Sequence, residues 1–372
     1  MQAYLDHAAT TPMRPESLAA MVPYLTEHFG NPSGPHSVAR RALVAIDEAR
    51  DEVARCLGCE PGEVVFTSGG TESDNLAVLG APGSGPGTVV CSAVEHHAVL
   101  NSCEARLGAT VPVDRAGVLD LDALAHRLRP EVELVSVMLV NNEVGTVQPL
   151  AEVAALVREL APRARLHTDA VAAVGWTDVA RLTSVADLVS ISAHKFGGPK
   201  GVGALVVRAG SPLAPVLFGG PQERGRRPGT HDVAGIVGMA AALRVATDTR
   251  TDTAGRVAVL RDRLAVGLVA TIEDVIQTTA NEGKVASSCH LVVGGVDREE
   301  LLVLLDDEGV CASAGAACAS GAVEPSHVLL ALGLSPAEAT SAVRFSLGYT
   351  TTVGEVDHVL DVMPKIVERL RA

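Results

Sequence analysis

The spacing of apolar residues changes repeatedly between residues 40 and 240. Stretches with the spacing of amphipathic helices, such as RRALVAIDEARDEVARCLG, alternate with short β-branched runs, such as EVVFTS, RLHTDA and DLVSISA. Helices that alternate with short strands are typical of a mainly parallel sheet with helices on both faces. The pattern therefore predicts an α/β fold for this part of the chain.

After about residue 245 the pattern changes to longer amphipathic helices with few strands. RVAVLRDRLAVGLVATI, REELLVLLDDEG and VGEVDHVLDVMPKIVERLR predict helices, and SCHLVV and AVRFSL predict strands. Mixed elements of this kind indicate a smaller α+β domain. We expect a large domain at residues 14–245 and a small domain made of residues 1–13 and 246–372.

Polar clusters follow the apolar runs of the first part. They are SGGTES at 68–73, EHH at 95–97, NNE at 141–143, DA at 169–170 and HK at 194–195. In parallel sheets, ligand sites lie outside the carboxyl ends of the strands. We therefore expect these five clusters to converge on one edge of the sheet.

Composition and charge narrow the function classes. The chain has 372 residues, of which 47% are apolar, so it can bury a large core. A net charge of −14, without Lys and Arg clustered among aromatic residues, argues against direct binding to nucleic acid. No apolar run approaches the roughly 20 residues that span a bilayer, and the N-terminus MQAYLDHAATTP does not resemble a leader. We expect a cytoplasmic protein that does not bind membranes.

The seven cysteines are scattered and odd in number, so we expect reduced thiols rather than a disulfide framework. Cys56 and Cys59 form a lone C-x-x-C, which is compatible with redox chemistry or half a zinc site. More usually, one cysteine of such a pair lies in a helix and the other at the end of that helix. We therefore expect no bound metal. Cys311 resembles a strand residue with a packing role.

Lys195 follows an apolar strand in SISAHKFGGPKG and is the candidate for Schiff-base chemistry. Such a lysine must project from a rigid element into a partly desolvated pocket, where its amine can lose its proton. Asp169 ends the strand in RLHTDA and is the candidate partner for a pyridine nitrogen. Taken alone, the segment of Lys195 would indicate a solvated loop lysine. Asp169 could also be a helix N-cap, a role that is compatible with the first.

The turn VVFTSGGTESDNLAV connects a predicted strand to a helix that begins near Thr71. Glycines and the free N–H groups of a helix start favour a phosphate, although a plain turn has the same pattern. Ser192 and His194 could donate to that phosphate. Cys318 lies in a run of Gly, Ala and Ser, CASAGAACASGAVEPSHVLLALG, which favours an exposed loop suited to thiolate chemistry.

Nine segments resemble, in the same order, those of the NifS/IscS-type cysteine desulfurases of the class V aminotransferase group. They are YLDHAATTP, FTSGGTESDNLA, EHHAVL, VNNEVGTVQP, HTDA, SAHKFGGPKGVGAL, GGPQERGRRPGT, SAGAACASGAVEPSHVLLALG and AVRFSLG. The resemblance covers almost the whole chain. It implies a pyridoxal 5′-phosphate enzyme of transferase fold type I, which forms a homodimer with the cofactor near the subunit interface.

The resemblance also implies roles for individual residues. Lys195 would carry the cofactor, Asp169 would pair with its pyridine nitrogen, and His96 would stack on its ring as a third catalytic residue beside Lys195 and Cys318. Asn142 would contact the phenolic oxygen. The residues implied for the phosphate are Gly70, Thr71, Ser192, His194 and, from the other subunit, Thr230. Those implied for the substrate carboxylate are Arg344 and Asn31.

The implied reaction converts L-cysteine to L-alanine and leaves the sulfur on Cys318 as a persulfide. Acceptors would be an IscU-like scaffold of iron–sulfur cluster assembly or a tRNA-thiolation enzyme, and Cys318 could then contact an iron–sulfur cluster transiently. ASGAVEPSHVLLALG after Cys318 matches the longer, IscS-like form of the loop. This form predicts direct transfer without a SufE-like activator.

Three positions depart from the family pattern. Ala172 stands where a glutamine usually contacts the phenolic oxygen, so we expect one cofactor hydrogen bond to be missing. Tyr349 replaces a frequent arginine, and NPSGPHS replaces the usual NPSS. The last two changes put the detailed substrate contacts in doubt.

Two other classes of function compete with a desulfurase. Another fold type I enzyme, such as a selenocysteine lyase, a cystine-type C–S lyase or an aminotransferase, would not require the thiol of Cys318. A non-catalytic scaffold that binds sulfur-transfer partners would keep the fold without the cofactor. Lys195, Asp169 and Cys318 argue against the scaffold.

Overall fold

The computed structural model describes residues 2–82, 88–315 and 325–372. The strands in this part of the chain are β1 (Ala3–Tyr4), β2 (Val64–Thr67), β3 (Val89–Ser92), β4 (Ala109–Val111), β5 (Leu134–Ser136), β6 (Arg165–Asp169), β7 (Leu188–Ser192), β8 (Gly203–Val207), β9 (Val275–Gln277), β10 (Ser288–Val293), β11 (Val310–Cys311) and β12 (Ala342–Ser346). The helices are α1 (Pro15–Thr26), α2 (Ser37–Leu57), α3 (Gly70–Leu79), α4 (His97–Ala105), α5 (Leu121–Arg127), α6 (Leu150–Leu160), α7 (Val179–Leu182), α8 (Val233–Asp248), α9 (Arg250–Thr271), α10 (Arg298–Asp307), α11 (His327–Ala331), α12 (Pro336–Thr340) and α13 (Val353–Arg371).

The largest sheet of the described residues has the strand order β2-β8-β7-β6-β5-β3-β4. Strands β4, β3, β5, β6 and β7 run parallel, whereas β8 is antiparallel to both of its neighbours. The predicted mainly parallel α/β sheet is confirmed. The antiparallel edge at β8 and β2 was not predicted, because strand direction leaves no mark on an apolar run.

Helices cover both faces of this sheet. Strands β2, β3, β5, β7 and β8 are buried along their whole length, which is why they form continuous apolar runs in the sequence. On one face, residues of α3 and α4 form an apolar cluster with the sheet. On the other face, residues of α2, α6 and α8 form the main core. Both faces of the central strands are therefore shielded from water, whereas the edge strand β4 is partly exposed.

A second apolar core lies among the C-terminal elements. Strand β10 pairs antiparallel with β9 and β12, and β1 pairs parallel with β11. Helices α9, α10 and α13 pack against these strands, around buried residues such as Leu5, Leu291 and Phe345. Trp176 contacts this core and the main core. The domain limits given above remain a prediction.

The six described cysteines are free thiols. Cys56 lies in the last turn of α2, and Cys59 follows the left-handed Gly58 that ends this helix. Burial raises the pKa of both thiols to about 11, which disfavours the reactive thiolate and supports the packing interpretation. Cys311 ends β11, as predicted, and Cys318 lies outside the described residues.

Among the described residues, no group of three or more His, Cys, Asp or Glu side chains is arranged to hold a metal ion. None of the helices formed by these residues is long and apolar enough to cross a membrane.

A buried ion pair fixes the segment between β8 and α8. The guanidinium of Arg50 donates two hydrogen bonds to Glu223, at 2.9 and 2.7 Å, and His231 contacts the same carboxylate at 2.7 Å. The N–H of Phe66 is a further donor, at 2.9 Å. Burial opposes ionisation of Glu223, but these donors outweigh it and hold the pKa at about 2.

Replacement of Glu223→Gln should lower the free energy of unfolding at neutral pH by about 3–5 kcal/mol, because it leaves the buried Arg50 without a counter-charge. The pKa of Glu223 is lower in the folded protein than in the unfolded chain. Its contribution is therefore complete above about pH 5 and is lost as the pH falls toward 2. Denaturant unfolding at several pH values checks this. Asp361→Asn, which breaks an exposed pair with Lys365, is the control and should change stability little.

Candidate active site

A cavity of about 360 Å³ lies at the carboxyl ends of β3, β6 and β7. This volume is within the range of small-ligand sites. The predicted site residues that line it are Gly70, Thr71, His96, Asn142, Asp169, Ser192, His194, Lys195 and Arg344. Each of the five polar clusters noted in the sequence contributes at least one of these residues. The structure thus brings the five clusters together, as expected from their positions after the strands.

Lys195 enters the cavity from a short 3₁₀ helix, residues 193–195, which directly follows β7. Its Nζ donates to the carbonyl oxygens of Ala8 and Ala9, the latter at 3.1 Å. Burial, with a smaller effect from the positive charge of Arg344, lowers the pKa of the amine to about 8. About a tenth of Lys195 is therefore a neutral, nucleophilic amine at pH 7, far more than for an ordinary lysine.

Asp169 ends β6 and is almost fully buried. Its Oδ1 accepts the N–H of Val171 at 2.8 Å. Burial raises the pKa of this carboxyl, and the nearby His96, the Val171 N–H and Lys195 act in the opposite direction. A further cationic group in the cavity would favour the ionised carboxylate.

His96 is the N-cap of α4, where its Nδ1 accepts the N–H of Ala98 at 3.1 Å. Burial lowers the pKa of the imidazole, with opposing and reinforcing effects from Asp169 and Lys195. The ring is therefore neutral at neutral pH. A neutral ring fixed at Nδ1 is suited to lie against an aromatic ligand.

The other end of the cavity is built for an anion. Helix α3 begins at Gly70, so its first N–H groups have no partners within the helix. A Cβ on Gly70 would lie 2.8 Å from the Val171 side chain, so the backbone here is closer to its surroundings than other residues allow. Ser192 and His194 line the same end, and His194 contacts the hydroxyl of Thr10 at 3.2 Å. Together these groups can bind a phosphate.

Arg344 lies in β12 and is nearly fully buried. One Nη donates to Asp6 at 2.7 Å, and the other donates to the carbonyl oxygens of Asn142 and Gly315 at 3.1 and 3.2 Å. Its Nε has no hydrogen-bond partner among the described residues. The guanidinium is therefore oriented by the protein, and one donor direction is left over.

Two predicted residues that the structure describes do not line this cavity. Asn31 is exposed, and its side chain accepts the N–H of Ser33 at 3.0 Å. Thr230 is also exposed and is absent from the described lining of the cavity. Cys318 lies outside the described residues.

Ala172 lines this cavity and a smaller one of about 50 Å³ behind it, which Trp176 and Tyr349 also line. The two cavities therefore share the small side chain of Ala172 as part of their walls. The guanidinium of Arg14 lies 4.0 Å from the centre of the Tyr349 ring. Tyr349 therefore belongs to the wall of the smaller cavity.

The sequence alone did not identify several residues that line the cavity. These are Asp74, His97, Glu143 and His327. Asp74 is buried, and its Oδ1 lies 3.6 Å from His167 Nε2 without a hydrogen bond. The segments of these four residues were recognised as polar clusters or family motifs, but which of their side chains face the cavity depends on the fold.

Comparisons with known proteins agree with this geometry. The family model "Aminotransferase class-V" matches residues 3–359. A "Cysteine desulfurase IscS" of Dictyoglomus turgidum is 42% identical over 378 residues, covering 100% of this chain and 95% of that protein. A "Cysteine desulfurase" of Cereibacter sphaeroides is 44% identical and covers 99% of this chain and 96% of its own length.

Solved structures give the same result. One titled "NIFS-LIKE PROTEIN" superposes with a TM-score of 0.93 at 34% identity, over 100% of both chains. The structure of DndA from Streptomyces lividans superposes with a TM-score of 0.76 at 36% identity, over 92% of this chain and 99% of its own. The predicted fold and family are confirmed, and the chain belongs to the class V aminotransferase family and, within it, to the cysteine desulfurases.

Proposed function

We propose that this enzyme uses pyridoxal 5′-phosphate to convert L-cysteine to L-alanine and takes up the sulfur on Cys318. The observation that carries the proposal is the meeting of Lys195, Asp169 and His96 in one cavity, next to the anion-binding start of α3. An amine, a carboxylate, a flat neutral ring and a phosphate site are what this cofactor needs. The described residues therefore fit the cofactor.

Bound pyridoxal phosphate supplies an electron sink for the negative charge that forms when an amino acid loses its α-proton. Lys195 holds the cofactor and, as a free amine with a pKa near 8, is suited to accept that proton. Asp169 offers the carboxylate for the pyridine nitrogen, and Asn142 lines the cavity as a hydrogen-bond partner for the phenolic oxygen.

Arg344 is proposed to bind the substrate carboxylate. It lines the cavity, and its Nε lacks a partner among the described residues. Its ion pair with Asp6 keeps the guanidinium in a fixed orientation. We also propose a substrate contact for Asn31, which rests on the family resemblance alone.

The sulfur step is assigned to Cys318. Its thiolate donates an electron pair to the sulfur of the substrate, so that an S–S bond forms while the C–S bond breaks. The electron pair of the broken bond stays with carbon, which takes up a proton and becomes the methyl group of alanine. The resulting persulfide can pass its outer sulfur to another thiol.

We propose that the enzyme is a homodimer in which Thr230 reaches the partner's phosphate site. One face of α1 carries exposed apolar side chains spaced as on a single helix face: Leu18, Val22 and Leu25, followed by Phe29. Leu217 and Phe218 are exposed as well. Apolar surface of this kind favours burial against a second protein.

The sulfur acceptor and the location in the cell are also part of the proposal. We propose direct sulfur transfer to a protein acceptor, either a scaffold for iron–sulfur cluster assembly or a tRNA-thiolation enzyme, without an activator. We also propose a cytoplasmic location, because free thiols such as Cys59 and Cys311 persist in a reducing compartment.

The pH dependence of cofactor attachment should report the state of Lys195. Only the neutral amine reacts, so the rate at which cofactor-free protein binds pyridoxal phosphate covalently should rise about tenfold per pH unit below about 8 and level off above it. Absorbance after mixing measures the rate. Lys365→Ala, at an exposed lysine of α13, should behave as wild type, whereas Lys195→Ala should give no covalent adduct.

Replacement of Cys318→Ala should abolish alanine formation from cysteine, because no thiolate is left to attack the sulfur, while the visible absorption of the bound cofactor is retained. Alanine assays and spectra check both points. Cys311→Ala is the control and should stay active. Continued alanine production by Cys318→Ala would instead favour a C–S lyase.

Replacement of Ala172→Gln should shift the absorption maximum of the bound cofactor or the pKa of that band. A regained hydrogen bond of about 1 kcal/mol corresponds to somewhat less than one pH unit. A spectrophotometric titration measures it. Ala172→Leu fills similar space without a donor and should not reproduce the shift; identical titrations for the glutamine variant and wild type would contradict the prediction.

A further inference from the structure

The smaller cavity beside Ala172 has a cationic wall. Its lining includes Arg14, Lys195 and Arg344, and no Asp or Glu side chain is among the described residues that line it. Several other residues of the wall, such as Ser287, are polar and uncharged. The space of about 50 Å³ exceeds the roughly 10–15 Å³ that one water molecule requires. The cavity therefore suits a small anion in both charge and size.

Arg14 is fixed in this wall by the backbone that follows Lys195. Its Nε donates to the carbonyl oxygen of Phe196 at 2.9 Å, and its backbone N–H donates to the carbonyl oxygen of Gly197 at 2.8 Å. A Cβ on Gly197 would lie 2.5 Å from Cγ of Arg14, so the stem of the side chain packs against this glycine. The guanidinium lies over the ring of Tyr349, which also lines the cavity. The charged group is therefore held at the cavity before any ligand binds.

The guanidinium of Arg14 has no acidic partner in contact with it. Arg14 is only 8% exposed, yet it forms no ion pair with a described residue, and neither Nη has a hydrogen-bond partner among these residues. Burial lowers the pKa of Arg14, and Tyr349 and Glu16 have smaller, opposite effects. A buried charge without a partner is costly, and an anion that accepts hydrogen bonds from Nη would remove much of this cost.

We propose that the smaller cavity binds a small monovalent anion, such as a halide or the carboxylate of a small acid, and that Arg14 holds it. Arg344 is the second cation at this site, because it lines both cavities and its Nε has no hydrogen-bond partner among the described residues. The site is separate from the phosphate end of the main cavity, where α3 begins at Gly70. Arg14 has no role in the proposed function, so this site goes beyond that function.

The chain contains a fluorescent reporter of the site. Trp176 is the single tryptophan of the sequence and lines the smaller cavity, and it is not among the described residues that line the main one. Iodide quenches tryptophan fluorescence on contact. Quenching by iodide bound in the cavity should saturate when the site is full, whereas quenching by collisions from solution rises in proportion to the iodide concentration.

The test follows the fluorescence of Trp176 in the full-length protein with its cofactor bound, so that the phosphate end of the main cavity is occupied. Titration with iodide at constant ionic strength should give saturable quenching in the wild type. Chloride and acetate should reverse it, whereas citrate, which is too large for the cavity, should not. Stronger reversal by acetate would identify carboxylates as the preferred ligands, and stronger reversal by chloride would identify halides.

Replacement of Arg14→Gln should weaken the binding of iodide about tenfold or more, because hydrogen bonds to a charged group are lost. Arg129→Gln removes the same charge at an exposed arginine that is not among the described lining of either cavity, and it should behave as wild type. Acrylamide, an uncharged quencher, should quench the wild type and Arg14→Gln equally, since access to Trp176 does not depend on the charge.

Three results would overturn the inference. They are iodide quenching in the wild type that does not saturate, reversal by citrate as strong as by chloride, and an undiminished affinity for iodide in Arg14→Gln. The first two results need only the wild-type protein. They therefore decide the question even if Arg14→Gln does not fold.

Discussion

The carboxyl ends of β3, β6 and β7 lie at one edge of the sheet, and the arrangement of the site depends on this constraint. Parallel strands must all finish on the same side, so side chains that are far apart in sequence meet there without any contact between their own segments. His96 follows β3, Asp169 ends β6 and Lys195 follows β7. The helices on both faces exclude water from the central strands, so the polar groups of the site gather at the strand ends.

Burial then decides the charges of the groups that meet. The same loss of hydration lowers the pKa of the Lys195 amine and raises that of the Asp169 carboxyl, so both groups move toward their neutral forms. The charged form of each group is therefore less stable here than in water. A ligand that brings a cationic ring nitrogen and an anionic phosphate supplies the missing counter-charges, which couples the chemistry of the site to occupation of the cavity.

The sequence was sufficient to predict the sheet, the helices on both faces and the convergence of five polar clusters, because continuous apolar runs and the residues after them are local features. Strand direction at β8 was not predictable, since it depends on which neighbour β8 pairs with. The ion pair of Arg344 with Asp6 joins residues 338 positions apart, and only the parallel pairing of β1 with β11 and the isolated bridge from Asp6 to Ser346 bring them together. The motif NNE contains Glu143, but the burial of this residue and its hydrogen bond with Ser326 depend on the fold.

The segment around Glu223 has a consequence for how two subunits would share their sites. Glu223 and Arg224 both have positive φ angles, of 47° and 59°, a conformation that costs about 1–3 kcal/mol per residue unless the surroundings hold it. Arg50, His231 and the N–H of Phe66 hold it here. In the proposed dimer, the same segment leads to Thr230, for which we proposed a place in the neighbour's phosphate site. In a mixed dimer of one wild-type and one Glu223-deficient subunit, the defect would therefore appear in the intact subunit's catalysis, and the damaged subunit would keep the better site.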